Sequence, residues 1–345
     1  MIVIFAVLCL LCIPQIKFAR EGEYHPDYLL KDSTTAVNGF FVALVFLSHF
    51  KAYFELSGVY DKPFNSMMSF LNQLIVTTFL FYSGYGIMCS INKKGTPYVK
   101  SIPKKRFLSV LLHFDIAVLL YFVLNIILQK KMQFKTVLLS FVGWDSLGNS
   151  NWYIFAILIL YIFVFISFMA VKDKKLLGVM LTAVFSCLYV CVMTFSEKKD
   201  FFYNTVMCYP VGMIYGLYKE KIEKFLQKSN VLYFGSLFLL FSVFFFFSRY
   251  GIKGAVIYQL WSISFVLFLV VLSMKIKVDN AFLRFFGKRI FEIYLLQRIP
   301  MIILKETSLV KFPYLCLIFS LLFTLLLSEI FSLCMKNLDR KLRLC

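Results

Sequence analysis

Histidine is scarce in this chain: three occur in 345 residues, at positions 25, 49 and 113. Any chemistry that needs an imidazole must use one of them. The sequence also has no Walker loop, no HExxH and no GxSxG. ATP-driven transport, zincin chemistry and α/β-hydrolase chemistry therefore have no support. The nine cysteines are an odd number and lie mostly inside apolar runs. Cys9 and Cys12 have C-x-x-C spacing, but no histidine stands near them. The cysteines read as small buried hydrophobes, and no metal site is expected. Charge is thin as well, at 16% of residues. No stretch is long enough to fold as a separate soluble domain.

What is abundant is apolar. Hydrophobic residues make up 61% of the chain, where a soluble domain carries about 45–50%. They fall in long runs, which predicts an all-α, polytopic transmembrane helical bundle. Eleven runs stand out, at 2–18, 35–54, 67–91, 107–129, 151–171, 175–195, 201–218, 230–248, 252–274, 286–305 and 311–335. Each is near the roughly 20 residues that a bilayer requires. Residues 1–345 read as one multi-pass domain of the cell membrane. The opening run, "MIVIFAVLCLLCIPQIKF", has no basic leader and no A-x-A cleavage site, and Pro14 interrupts it. A retained extra span is favoured over a cleaved signal.

The net charge is +19, but the basic residues sit in short loops rather than beside a soluble fold with stacking aromatics. Nucleic-acid binding is not expected. The loops instead give an orientation. Alternate loops carry 25 and 11 Lys and Arg residues, and the richer set should be cytoplasmic. The N-terminus is then outside and the C-terminus inside.

Ionisable groups at membrane depth are expensive and point to function. In "VNGFFVALVFLSHFKAY", Asn38 and His49 are eleven residues apart. Eleven helical steps return to nearly the same face, roughly 16 Å further along. His49 falls in the outer half of the bilayer and suits a general base. Tyr53 lies one turn above it. The run "FEIYLLQRIPMIIL" carries Glu292, Tyr294, Gln297 and Arg298. Arg298 either lines an outer cavity with His49 or snorkels to headgroups, and Pro300 is expected to kink the helix. His113 and Asp115 lie in an inner third. They either hold each other or help to receive a polar ligand. Lys104, Lys105 and Arg106 either anchor a helix or bind a phosphorylated cofactor. "GMIYG" permits close helix packing. Trp152 fits an aromatic belt.

Six segments, in order, resemble the membrane acyltransferase family 3, bacterial integral-membrane enzymes that O-acylate surface polysaccharides. They are "NGFFVALVFLSHF", "FYSGYGI", "KKRFLSVLLHF", "NWYIFAILILY", "YPVGMIYGLY" and "FFGKRIFEIYLLQ". The resemblance covers about 33–335, and it implies a ten-helix core with 1–18 as an extra span. His49 matches the family's catalytic histidine. Three positions depart. Asn38 replaces a basic residue, Ser109 replaces the second arginine of an R-x-x-R, and Gln297 replaces a histidine. Lys31, Lys104, Lys105 or Arg106 would have to supply the missing charge.

The resemblance implies acetyl-CoA as acyl donor, with Asn38, Lys104, Lys105, Arg106 and His113 on the donor side. It implies a polysaccharide or lipid-linked oligosaccharide acceptor, near Trp152, Tyr294 and Glu292. His49 would deprotonate a sugar hydroxyl or carry the acyl group, with Arg298, Gln297 and Tyr53 around it. Some family members carry a fused hydrolase-like domain. None is seen here, which implies direct transfer or a separate glycan-assembly partner. Other readings fit less well. The membrane-bound O-acyltransferases have a late histidine, and no histidine follows position 113 here. A polysaccharide polymerase would have a large outer loop. A polysaccharide transporter or flippase is the non-enzymatic alternative.

Overall fold

A computed structural model describes residues 2–12, 16–250, 254–278 and 280–344. Pro14 lies outside the described residues. The architecture is all-α, as the apolar runs require. A bilayer offers no water to unpaired backbone groups, so each crossing segment must satisfy its own. Among the described residues, eight helices are long and apolar enough to cross a membrane: Lys31–Tyr53, Val59–Lys94, Thr96–Ile127, Trp152–Val171, Lys175–Phe195, Asn230–Ser248, Ala255–Leu272 and Pro313–Leu342. Their burial is inverted relative to a soluble protein. Phe238 is 72% exposed on its helix, whereas Ser320, Thr324 and Ser328 are fully buried along the face of another.

Three expected spans take other forms. Run 2–18 is a helix of 11 residues, Ile2–Cys12, and then a strand at Ile16–Phe18. Such a helix is about 16 Å long, short of the roughly 30 Å hydrocarbon core. Run 201–218 begins in turns and continues as the charged helix Cys208–Leu226. Run 286–305 is two short helices, Ile290–Leu296 and Arg298–Lys305.

The loops meet in two groups. In one, strand Ile16–Phe18 pairs antiparallel with Ile276–Val278, and Asp27 bonds Lys277. The Tyr28 and Tyr215 hydroxyls meet at 2.7 Å, and His113 pairs with Asp339 at 2.9 Å. In the other group, Lys130 meets Glu306, Lys198 donates to the Trp144 carbonyl, and Tyr314 donates to Asp61. The Ile2–Cys12 helix touches the second group's helix Lys62–Leu71, whereas its following strand belongs to the first group.

The core is held where backbones nearly touch. A Cβ on Gly84 would lie 2.1 Å from the Tyr209 carbonyl oxygen, and one on Gly212 would lie 2.1 Å from that of Phe81. This is the close packing expected of "GMIYG". Gly39 and Gly287 lock the Lys31–Tyr53 helix to Ala281–Gly287 in the same reciprocal way. Three helices lose regularity beside the cavities described next. A 3-10 turn occupies Asn72–Val76, a π-turn occupies Pro103–Leu108, and the helix breaks at Gln297.

Candidate active site

The break at Gln297 has a local cause. Pro300 has no N–H, and its ring cannot pass the carbonyl four residues back. Carbonyls freed near the break need other partners. The Tyr121 hydroxyl supplies one, donating to the Leu295 oxygen at 2.9 Å. The expected kink is thus a full interruption, braced from the neighbouring helix. Tyr121→Phe should leave that carbonyl bare and cost about 1–3 kcal/mol. A thermal melt lowered relative to the parent protein checks this.

The break turns Gln297 and Arg298 towards the histidine helix. Both lie within interaction distance of the His49 imidazole, and Arg298 also reaches Tyr53. His49 Nδ1, the Gln297 carbonyl oxygen and Arg298 Nε are buried without a hydrogen-bond partner. Unpaired polar atoms in such number are costly in a settled core and normal in a site built for a ligand. They border a chamber of about 180 Å³, lined by Ser48, His49, Gln73, Trp152, Tyr294 and Arg298.

A second chamber, of about 350 Å³, lies further down the same helix. Asn38, Tyr82, Ser83, Tyr153, Tyr161 and Tyr294 are among its walls. The Asn38 side-chain oxygen is also buried without a partner. Tyr294 borders both chambers, and its ring stands 6.2 Å from that of His49 and 5.6 Å from that of Tyr153. The two chambers are therefore separated by one layer of aromatic side chains.

Beyond the asparagine chamber is a basic cleft of about 400 Å³, where Lys94, Lys105 and Arg106 meet Tyr98. Arg106 Nε donates to the Tyr98 hydroxyl at 3.3 Å, and its guanidinium also acts on Tyr161, a wall of the asparagine chamber. The π-turn at Pro103–Leu108 presents Lys105 and Arg106 there. Such turns often mark functional sites.

The chambers lie inside the region that resembles a known family. A model of the acyltransferase domain matches residues 36–333. The chain belongs to the membrane acyltransferase family 3. No functionally curated protein and no solved structure matches it significantly. The acyltransferase match begins two residues before Asn38 and includes the residues of both chambers.

Several expected site residues of this acyltransferase are not where the sequence reading put them. His113 does not hold Asp115. It pairs with Asp339 of the last helix and borders neither chamber, although its neighbour Phe291 lines the asparagine chamber. Glu292 turns the same way, towards Ser332, His113 and Lys336, and away from the Tyr294 face. Helical geometry explains this, because two residues along a helix turn about 200°. Glu329 pairs with Arg289 of the adjacent loop. Lys104 is exposed and does not line the basic cleft, whereas Lys105 and Arg106 do. Tyr53 lines a different cleft, with its hydroxyl 3.5 Å from the Gly148 oxygen. Arg298 faces the cavity rather than snorkelling.

Some lining residues went unremarked in the sequence. Gln73 is 92% buried and its side-chain oxygen has no partner, and Asn72 beside it has a φ of 40°. Two polar amides inside an otherwise apolar run were the available signal. Tyr82, Tyr153 and Tyr161 gave no signal, because tyrosine is ordinary in membrane helices.

Proposed function

We propose that this acyltransferase moves an acetyl group from acetyl-CoA to a hydroxyl of a surface polysaccharide, capsular or cell-wall, or of its lipid-linked precursor. The observation that carries this is the row of cavities along one helix. The Asn38 and His49 chambers lie in series, with Tyr294 as their common wall and a basic cleft beyond Asn38. A two-substrate reaction across a membrane needs such an arrangement.

The residues fit the donor. Lys94, Lys105 and Arg106 suit the phosphates of a nucleotide. The asparagine chamber is within the size range of small-molecule sites and is walled by tyrosines, which suits a slender amide-bearing arm. The unpaired Asn38 oxygen can accept from such an amide. Trp152 and Phe201 offer aromatic faces to the acceptor beside His49. There the imidazole takes the hydroxyl proton while the hydroxyl oxygen attacks the thioester carbonyl. Arg298 and Gln297 stand beside the developing oxyanion. The carbon–sulfur bond breaks, and the leaving thiolate takes the proton.

Orientation supports the same reading. The basic-rich loops meet only one another in the contacts described, and so do the poorer ones. Eleven crossings of a plasma membrane, with the N-terminus outside, would produce this. The basic cleft then faces the cytoplasm, where acetyl-CoA is made, and the His49 chamber faces outward.

The test is a deletion strain complemented with the parent gene, with O-acetyl groups on the surface glycan measured by NMR. Acetylation restored by the parent is expected. Glycan exported in normal amount but with no change in acetylation would sink the proposal. Asn38→Arg checks the donor chamber. It should lower KM for acetyl-CoA about threefold to tenfold with kcat unchanged, since the added charge acts on donor binding alone. Steady-state kinetics in nanodiscs would show it, and a rise in KM would mean that Arg106 already fills the role.

A further inference from the structure

Beyond the His49 chamber, at the same end of the bundle, lies a third cavity, an open cleft of about 590 Å³. Its walls include Tyr53, Asn125, Lys130, Lys131, Gln133 and Ser146. Tyr53 is the last residue of the histidine helix and reaches Arg298, so it forms the wall between this cleft and the catalytic chamber. The far wall is rigid. Asn125 donates to the Leu147 oxygen at 2.8 Å, Ser146 to the Asn149 oxygen at 2.6 Å, and Asn151 to the Gly143 oxygen at 2.8 Å.

The cleft is polar and one-signed. Residues 129–136 carry three lysines and no acid. Lys130 meets Glu306 at 3.3 Å, with both side chains about half exposed. A pair so exposed contributes little and exchanges readily for another anion. Among the described residues Lys131 makes no ion pair. Amide, hydroxyl and ammonium donors around one wide cleft suit a ligand with many hydroxyls and a negative charge.

We propose that this cleft is an acceptor subsite for an anionic glycan, one bearing carboxylate or phosphate groups. It would hold a neighbouring unit of the chain while the reacting hydroxyl enters the His49 chamber past Tyr53. This deepens the acetyl-transfer reading and rests on it for the direction of the acceptor. The recognition itself is independent of His49.

The test uses the full chain in phosphatidylcholine nanodiscs, without donor. The probes are a galacturonic-acid oligomer, the same oligomer with its carboxyls methyl-esterified, and a glycerol-phosphate oligomer. At least one charged oligomer should bind about tenfold more tightly than the neutral one, and Lys130→Gln/Lys131→Gln should remove about that factor. Added salt should act likewise. Both lysines are exposed, and an unchanged melting temperature shows that the fold is intact. Equal binding of charged and neutral oligomers, or no binding, overturns the proposal. So does a double variant that binds all oligomers as the parent does but loses affinity for phosphatidylglycerol vesicles. That result assigns the lysines to lipid headgroups. His49→Ala should leave oligomer binding unchanged while removing transfer. Transfer that survives His49→Ala would sink the catalytic reading alone.

Discussion

His49→Ala should abolish acetyl transfer, with a fall of about 10²–10⁴ in kcat, the range typical of a lost general base. Binding of acetyl-CoA should be unchanged, because Asn38 and the basic cleft lie beyond Tyr294. The fold should tolerate the change. His49 is partly exposed to its chamber, and its Nδ1 makes no hydrogen bond that would be lost. Radiolabel transfer in nanodiscs measures the rate, and donor binding by calorimetry supplies the control. Intact mass after incubation with acetyl-CoA alone separates the two roles of the imidazole. An acetyl adduct present in the parent and absent from His49→Ala marks a transient carrier. No adduct marks a base. Transfer at the parent rate in the variant would remove His49 from the mechanism.

The second large effect concerns two glycines in "SGYG" that sit two residues apart. Gly84→Ala should destabilise the protein strongly and Gly86→Ala should not. A methyl on Gly84 would meet the Tyr209 carbonyl at 2.1 Å, and backbone cannot step aside as a side chain can. The helices Thr77–Lys94 and Cys208–Leu226 must part. Overpacking of this kind costs about 1–3 kcal/mol. Gly86 has nothing within 4 Å of its would-be Cβ. Alanine there gains helix propensity, about 1 kcal/mol in an exposed interior. Ser83 and Tyr82 of the same turns line the asparagine chamber, so Gly84→Ala should also raise KM for the donor. Thermal melts of the two variants side by side decide the matter, and equal shifts would refute the packing account.

The long helices were legible because lipid leaves apolar sequence little choice. The shared face of Asn38 and His49 was legible for a similar reason, since helical period is fixed once the helix is. Contacts between distant segments were not. His113 has Asp115 two residues away but finds Asp339, 226 residues on. The strands at Ile16–Phe18 and Ile276–Val278 are three residues each, too short for any period, and pair across most of the chain. Glu292 and Tyr294 looked alike as polar positions in one run, yet they face opposite partners. Run 286–305 met the length of a span, and Pro300 announced a bend. That the bend is a complete break, steadied by Tyr121, depends on a helix far away in sequence.

The Tyr294 wall has an electrical consequence. A protein that passes an acyl group through a bilayer must not short-circuit the ion gradients held across it. Here the two wet spaces never merge, because the Tyr153 and Tyr294 rings, 5.6 Å apart, stand between them as a plug of low polarity. An acyl group on a flexible arm needs only a ring's displacement to pass, whereas a hydrated ion needs a continuous water column. The design is therefore that of an airlock rather than a pore: selective for what is tethered and closed to what diffuses freely.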